Sequence, residues 1–590
     1  MGGLQYSLLR IFALYASRFD FAAAFEYGFI IIGGGTAGLA VANRLTEIPS
    51  ITVAIIEAGD KVFDNPTVTA VDGFTLAIGT SIDWQYETVN QIHAAGQVKS
   101  WPGGKALGGT STINGMTYVR AQKCQIDSWQ AIGNEGWSWD DLPYYKKSEN
   151  FTVPTPEEIK NSASYNPSYH GTGGLLSVGF SKDLLNGSLH TIILDTWANL
   201  GLPLNNDANG GDVRGFSVWP NTLDSATNIR EDSARAYYYP IESQTNLHVF
   251  LNTTANKIEW DESVPEELVA KAVQITHQNG SVEALKTTKE VIVSAGSVQS
   301  PALLELSGIG NPRILERCGI STKVSLSGVG ENLVDQPLNL LQYNSTELYD
   351  GITSYVAYGA MDDFLATLPT RNTTILWASQ ITAANNNSVS QASIEYLLQI
   401  QYDLLERQVP NAEAIVGTTK TFGAGPSQIL AASMWLLMPF SRGNVHINSS
   451  DPLVFPVIDP KYFLIDFDLD VQVAIFKWFR KFWATGPVKD RAIELVPGYA
   501  ILPLNSTDEM LGDYIKKNFG ANSHNLGTAS MMPRELGGVV DSSIKVYGTS
   551  NVRVVDASIF PTQVSGHLTS TIYAIAEKAS DMIKESMGLN

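Results

Sequence analysis

The sequence predicts an α/β protein, α+β when taken whole, with two lobes. Three observations carry this. An apolar strand, a glycine turn, a helix and a second strand ending in an acid follow one another between Phe25 and Gly59. From about Gly330 to Phe519 the pattern changes to amphipathic helices mixed with alternating strands, and the last stretch returns to the first style. At 590 residues the chain is several times the usual domain size, so two large cores are expected rather than one.

Tyr27 to Ile32 is a short, wholly apolar strand, Gly33 to Gly38 a glycine turn, Leu39 to Leu45 a helix, and Ile51 to Ile56 a second strand closed by Glu57. Gly103 to Met116 is dense in Gly, Ser and Thr, and Trp129, Trp137 and Trp139 follow in a turn-rich setting. Leu247 to Leu251 and Glu290 to Ser294 read as strands that extend the first sheet, the latter running into a helix from Pro301 to Leu306. In the second lobe, Gln391 to Arg407 and Asp468 to Ala484 have helical spacing, and Val445 to Ile447 alternates as a strand. Val552 to Val555 and Leu568 to Met587 read as a strand and a helix that rejoin the first lobe. The first domain is thus expected to be built from separated pieces of chain.

Composition excludes several classes. A net charge of −20 argues against nucleic acid, which needs clustered Lys and Arg. Hydrophobic residues at 44% and charged residues at 17% are those of a folded chain. Two cysteines, Cys124 and Cys318, are too few for a disulfide framework or a cysteine zinc site, and spacing does not say whether they pair. No run of eighteen apolar residues suggests a membrane span. Residues Met1 to Ala24 make a poor signal peptide, because Arg18 and Asp20 follow directly on the short apolar run. Nine Asn-x-Ser/Thr sequons, at Asn150, Asn186, Asn252, Asn279, Asn344, Asn372, Asn386, Asn448 and Asn505, lean toward secretion, with a cytoplasmic location as the alternative.

Gly33-Gly34-Gly35-Thr36-Ala37-Gly38 fits G-x-G-x-x-G in the context that gives the motif meaning: strand before, helix after, acid at the end of the next strand. Gly33 permits the tight turn, Gly35 lets a pyrophosphate approach the backbone, and Gly38 lets helix and strand pack closely. Thr36 and Ala37 open the helix whose free N–H groups receive the phosphates. Glu57 lies 24 residues after Gly33, placed to accept hydrogen bonds from ribose hydroxyls. This is a Rossmann-like dinucleotide site, and FAD and NAD are both open on this motif alone.

Further segments resemble the glucose-methanol-choline (GMC) oxidoreductases. Gly104-Lys105-Ala106-Leu107-Gly108-Gly109-Thr110-Ser111-Thr112-Ile113-Asn114-Gly115-Met116 is similar to that family's first signature, and Gly296 to Pro301 with Ser307 to Gly310 to its second. Val329 to Gln336, Ser441 to Val445 and Ile458-Asp459-Pro460 are also family-like. The runs from Asn114 to Arg120 and from Gln125 to Trp137 look most like fungal glucose oxidases and FAD-dependent glucose dehydrogenases. The resemblance implies FAD as cofactor and three divisions of the chain. These are an FAD-binding domain over 25–330 with substrate-lobe insertions around 61–99 and 151–225, a substrate-binding domain over 331–523, and a C-terminal FAD-binding and catalytic segment over 524–590. It also implies that Ala58, Gly108, Gly109, Thr110, Asn114, Gly115, Met116, Thr117, Ala255, Asp556 and Ala557 join the glycine turn and Glu57 around the cofactor.

Of eight histidines, His524 and His567 match the family's C-terminal pair. Oxidising an alcohol removes a hydroxyl proton and a carbon-bound hydride, so a base titrating near neutrality must face the cofactor, and imidazole meets that need. His524 is expected to be the general base and His567 to bind the substrate oxygen and the flavin, with exchanged roles open. His93, His170, His190, His248, His277 and His446 lack metal-ligand spacing and are expected to be structural or surface residues. Glu413 and Asn522 stand where the glucose dehydrogenases contact sugar, but Gly520 stands where those enzymes carry an Arg. That loss of a guanidinium fork weakens the case for glucose, so the expected substrate is a sugar or a less polar, specialised-metabolite alcohol. Electrons would pass to O₂ or a quinone-type acceptor. The alternative reading is a non-redox cyclase or dehydratase that retains FAD.

Overall fold

The computed structural model describes residues 25–589 apart from 72, 74, 185–188, 264–266, 365–367 and 419–427. The stretch from Met1 to Ala24 and the sequon at Asn186 lie outside the described residues.

Among the described residues, two seven-stranded sheets organise the fold. In the first, Glu26–Ile32 lies between Val53–Ile56 and Val282–Val293, all parallel, with Phe29 opposite Val53 and Ile32 opposite both Ile56 and Val293. Leu247–Phe250 extends the parallel part on one side, and Val552–Val554, far later in the chain, pairs in parallel with Val291 to Val293. Phe29, Ile30 and Ile31 are wholly buried, as expected of a parallel strand covered on both faces. Ala270–His277 and Thr253–Trp260 continue the sheet antiparallel. Helix α1 (Thr36–Thr46) and the C-terminal helix pack together over this sheet. The sheet is therefore discontinuous in sequence.

The second sheet is antiparallel throughout, in the order Ala492–Val496, Pro337–Ser345, Ile429–Leu436, Ala412–Thr418, Tyr355–Gly359, Gly215–Val218, with Gly520–Ala521 paired to Pro337 and Leu338. Pro337–Ser345 and Ile429–Leu436 alternate in burial, whereas Tyr355–Gly359 and Gly215–Val218 are buried throughout. Asn339 and Tyr343 point at the helix Asp466–Trp483, through a bond from Gln472 and a stack on Trp483. The opposite face, with Leu338, Ile415, Ser433 and Trp435, lines a cavity. Among the described residues no helix is long and apolar enough to cross a membrane. Cys124 and Cys318 are free thiols.

A buried ion cluster ties three family-like segments together. His446 Nδ1 lies 2.7 Å from Glu305 and its Nε2 lies 3.1 Å from Glu331, while Glu305 also accepts the Ile447 N–H at 2.8 Å. Burial disfavours the imidazolium, but two carboxylates outweigh it and raise His446 to about 9, so it is a cation at neutral pH. Replacing His446 with Leu strands two buried carboxylates and is expected to destabilise by roughly 3–5 kcal/mol. Because the folded pKa is raised, this contribution is complete below the unfolded value near 6.5 and is lost as pH rises through about 9. Denaturant titrations of both forms between pH 6 and 10 check this: the gap should narrow toward the alkaline end, and a constant gap would refute the charge assignment.

Candidate active site

A cavity of about 890 Å³ is lined by both sheets and by the C-terminal segment. This is within the range of roughly 300–1,000 Å³ for small-molecule and cofactor pockets. At one end two glycine turns meet. Gly33 has φ +107°, and a Cβ there would stand 2.3 Å from the Ser294 carbonyl oxygen. Gly109 has φ +54°, and its Cβ would stand 2.6 Å from the Cα of Gly35. The Gly108 N–H donates to the Gly34 carbonyl at 2.7 Å, which locks the turns backbone to backbone. Helix α1 starts at Gly35 without a side-chain cap, so its first-turn N–H groups are available to an anion.

Glu57 closes the second strand. Its Oε2 accepts the Gly34 N–H at 2.9 Å and its Oε1 the Gly59 N–H at 2.8 Å, leaving further lone pairs on both oxygens. Burial pushes its carboxyl up to about 7 against those bonds. A backbone cradle that any Cβ would fill, an uncapped helix start and a carboxylate at the strand end together fit the pyrophosphate and ribose of FAD.

Most of the expected cofactor residues line this cavity: Gly33, Gly35, Thr36, Ala37, Glu57, Ala58, Gly109, Thr110, Asn114, Gly115, Met116, Thr117, Ala255, Asp556, Ala557 and His567. Gly38 and Gly108 stand behind it as packing and turn positions. The Asp556 side chain is otherwise engaged. It accepts from Gly296 N–H at 2.8 Å and Ser300 Oγ at 2.5 Å on one oxygen, and from Ser558 on the other, joining helix α2 (Gly296–Leu306) to the C-terminal segment. Asn114 is held from below, its Oδ1 accepting from Arg230 Nη1 at 2.8 Å and its Nδ2 donating to Thr569 at 3.2 Å.

At the other end stand the two histidines, with ring centroids 5.0 Å apart and planes at 83°. His567 precedes the C-terminal helix Leu568–Ser586, and its Nε2 lies 3.0 Å from Glu413 Oε1, leaving Nδ1 uncommitted. His524 Nδ1 lies 2.8 Å from Gln336 Oε1, leaving Nε2 uncommitted. Burial first, and then the neighbouring His567, hold the His524 imidazole well below its ordinary range, so it is neutral at physiological pH. Trp435 stands edge-on to both rings, at 6.4 and 6.2 Å.

Glu413, expected to contact substrate, is not among the residues that line the cavity. The residue is wholly buried, directly opposite Trp435 in the antiparallel ladder, and its carboxylate serves His567. Asn522 does line the cavity, but its Nδ2 donates to Gln336 Oε1 at 3.0 Å. Gly520 faces open space, with no atom within 4 Å of where a Cβ would be. Sequence reasoning assigned no role to Asp335, Gln336, Trp435 or Arg230. The first two were visible only as part of the family-like run Val329 to Gln336.

Family models described as GMC oxidoreductase match residues 27–338 and 439–576. A glucose oxidase-like protein, fsoC, from Humicola fuscoatra is 43% identical over 569 residues, covering 95% of each chain. An FAD-dependent oxidoreductase from Chaetomium thermophilum superposes with a TM-score of 0.84 at 28% identity, over 96% of this chain and 100% of that one. A fungal aryl-alcohol oxidase does so with a TM-score of 0.83 at 26% identity, over 95% and 99%. With two matching family models spanning most of its length and a relative this similar end to end, the chain belongs to the GMC oxidoreductases, FAD-dependent enzymes that act on CH–OH groups.

Proposed function

We propose that this enzyme oxidises a weakly polar alcohol, with His524 as general base and His567 as the second contact to the substrate oxygen. The observation that carries the reading is the pair of perpendicular imidazoles, each tied to the protein through one ring nitrogen and free at the other. A hydroxyl between them can give its proton to His524 Nε2 while a His567 ring carrying hydrogen on both nitrogens donates Nε2–H to the Glu413 carboxylate and holds the oxygen through Nδ1–H. The O–H and C–H bonds break, a C=O bond forms, the proton stays on His524, and the hydrogen on carbon leaves with its electron pair. FAD, when bound, supplies the acceptor for that hydride. Because His524 is neutral, the base is ready without prior deprotonation.

The substrate class follows from the walls. Beyond the glycine-loop end the lining mixes Trp435, Ile415, Leu338, Trp219 and Ile352 with uncharged polar residues, among them Asn221, Thr353, Ser354, Thr418, Ser433 and, beside His524, Asn522, Ser523 and Asn525. The charged residues among the described lining, Glu57, Lys105 and Asp556, belong to the glycine-loop end. A polyol would need several convergent donors and acceptors there. The likeness to an aryl-alcohol oxidase is consistent with an apolar carbinol. The expected test is anaerobic loss of the flavin's visible absorbance on adding aryl or aliphatic alcohols, followed by air. Bleaching by these and not by sugars supports the reading; fast recolouring in air identifies O₂ as acceptor, and slow recolouring in air that a quinone accelerates identifies the quinone. A flavin that no alcohol bleaches, yet dithionite does, overturns it.

Restoring a guanidinium probes the same point. Gly520→Arg should fold normally, since its side chain enters open space. It is expected to lower KM for glucose by about tenfold, the worth of one charged hydrogen bond, without improving aryl alcohols. Equal change for both classes would argue against this determinant.

Secretion as a glycoprotein is part of the proposal. Asn150, Asn279, Asn372, Asn386, Asn448 and Asn505 are exposed, and so accessible to glycosylation. Protein secreted by a fungal host should lose apparent mass on deglycosylation; retention inside the cell without glycan would contradict this.

A further inference from the structure

His524 sits on a break in a β ladder. Leu338 pairs with Gly520 and Pro337 with Ala521, and the Asn522 N–H donates to the Gln336 carbonyl at 3.1 Å. Beyond the break, Val334 and Leu526 exchange N–H···O bonds of 3.2 Å in each direction. Between these pairs one strand has only Asp335, while the other has Ser523, His524 and Asn525. The surplus residues form a bulge that lines the cavity, and Ser523 takes the left-handed φ of +58°. Bulges beside active sites re-aim a side chain at the cost of ladder bonds. Asp335 makes good the loss: its Oδ1 accepts the His524 N–H at 2.8 Å, and its Oδ2 is held by the Tyr462 hydroxyl.

Gln336, the next residue, acts on the ring. Its Nε2 donates to the Leu437 carbonyl at 2.8 Å, and a carbonyl can only accept, so the amide is fixed with Oε1 toward His524. That oxygen, 2.8 Å from Nδ1, is also only an acceptor. Nδ1 must therefore carry the hydrogen and Nε2 the lone pair. The Asn522 amide nitrogen lies 2.9 Å from Nδ1, but two N–H groups cannot bond each other. Its hydrogen bond is the one to the same Gln336 oxygen, at 3.0 Å.

We propose that Gln336 is a positioning residue that imposes the Nδ1–H tautomer on His524 and so keeps Nε2 free to take the substrate's hydroxyl proton. The proposal rests on His524 being the base. A merely structural Gln336 would affect stability and leave the tautomer, and hence the pH dependence of turnover, unchanged. The ionisable groups around His524 are His567 across the cavity and Asp335 at its backbone.

The test is steady-state kinetics of holoenzyme carrying Gln336→Leu or Gln336→Glu, beside His524→Ala. Leu removes the acceptor, so an Nδ1–H there is buried without a partner and the ring turns over to Nε2–H. kcat should fall about 10- to 100-fold with KM little changed and flavin retained. Glu restores an acceptor, so kcat should return to within a few-fold of wild type. Its charge also favours the imidazolium, so the acid limb of kcat/KM should move to higher pH by about one unit or more. A Leu variant with wild-type kcat and pH profile, or a Glu variant with an unmoved acid limb, overturns the proposal; the second readout decides even if the Leu variant does not fold. If His524→Ala is inactive while both Gln336 variants behave as wild type, only the tautomer role falls. If His524→Ala keeps its turnover, the base assignment itself falls.

Discussion

Replacing His524 with Ala should lower kcat by roughly 10²- to 10⁴-fold, the usual contribution of a positioned general base, while the purified protein stays yellow. Flavin retention is expected because the cofactor end of the cavity is built from the glycine turns, Glu57 and helix α1. The pH profile adds a second readout. The base must be neutral to act, and its pKa is held well below the ordinary value of 6.5 by burial and by His567. Wild-type kcat/KM should therefore stay on its plateau as pH falls past 6.5 and decline only in more acid solution. The residual rate of the Ala variant should lack that decline. Turnover near wild type, or an acid limb at or above the free imidazole value, would assign the proton transfer elsewhere.

The other large effect is at Gly109. Ala at this position adds one methyl group 2.6 Å from the Cα of Gly35, in a backbone conformation with φ +54° that L-residues seldom adopt. Neither turn can yield easily, since Gly108 N–H is bonded to the Gly34 carbonyl between them. Gly109→Ala is expected to yield mostly colourless protein, measured as flavin absorbance per mole of chain, with far-ultraviolet circular dichroism close to wild type. A fully flavinated variant would show that the two turns can separate, and that the cradle is less closely built than their contact implies.

Local patterns carried much of the fold. The strand–turn–helix–strand from Phe25 to Gly59 was legible because each step has its own short-range signature. These are a solid apolar run, glycines at fixed spacing, helical periodicity and a terminal acid. Helices expected over Gln391 to Arg407, Asp468 to Ala484 and Leu568 to Met587 occur as Gln391–Glu406, Asp466–Trp483 and Leu568–Ser586. Amphipathic spacing over four or five turns leaves little room for another reading. The return of the last strand to the first sheet was readable from style alone, and Val552–Val554 pairs beside Val291 to Val293.

The site was legible in a different way. His524 and His567 could be named from the company they keep in sequence, yet which nitrogen of each ring is free could not. That depends on Gln336, 188 residues before His524, and on Glu413, 154 before His567. Glu413 has the chemistry of a sugar ligand, and only the register that sets it opposite Trp435 and beneath His567 turns it into a buried partner. Asp556 likewise has the chemistry of a cofactor contact, but its oxygens are occupied by Gly296, Ser300 and Ser558. His446 gave no sign in sequence that two carboxylates would converge on it.

By itself the sequence determined the fold class, the dinucleotide turn, the FAD chemistry implied by the family-like segments, and the identity of the two imidazoles. The tertiary structure alone decided which polar side chains line the cavity, which are consumed in holding others, and which nitrogen of each imidazole is left uncommitted. The physical reason is range. Strand, turn and helix signals arise from neighbours a few residues apart, whereas a hydrogen bond between Gln336 and His524 exists only after antiparallel pairing, with its two-residue bulge, has set one segment against the other.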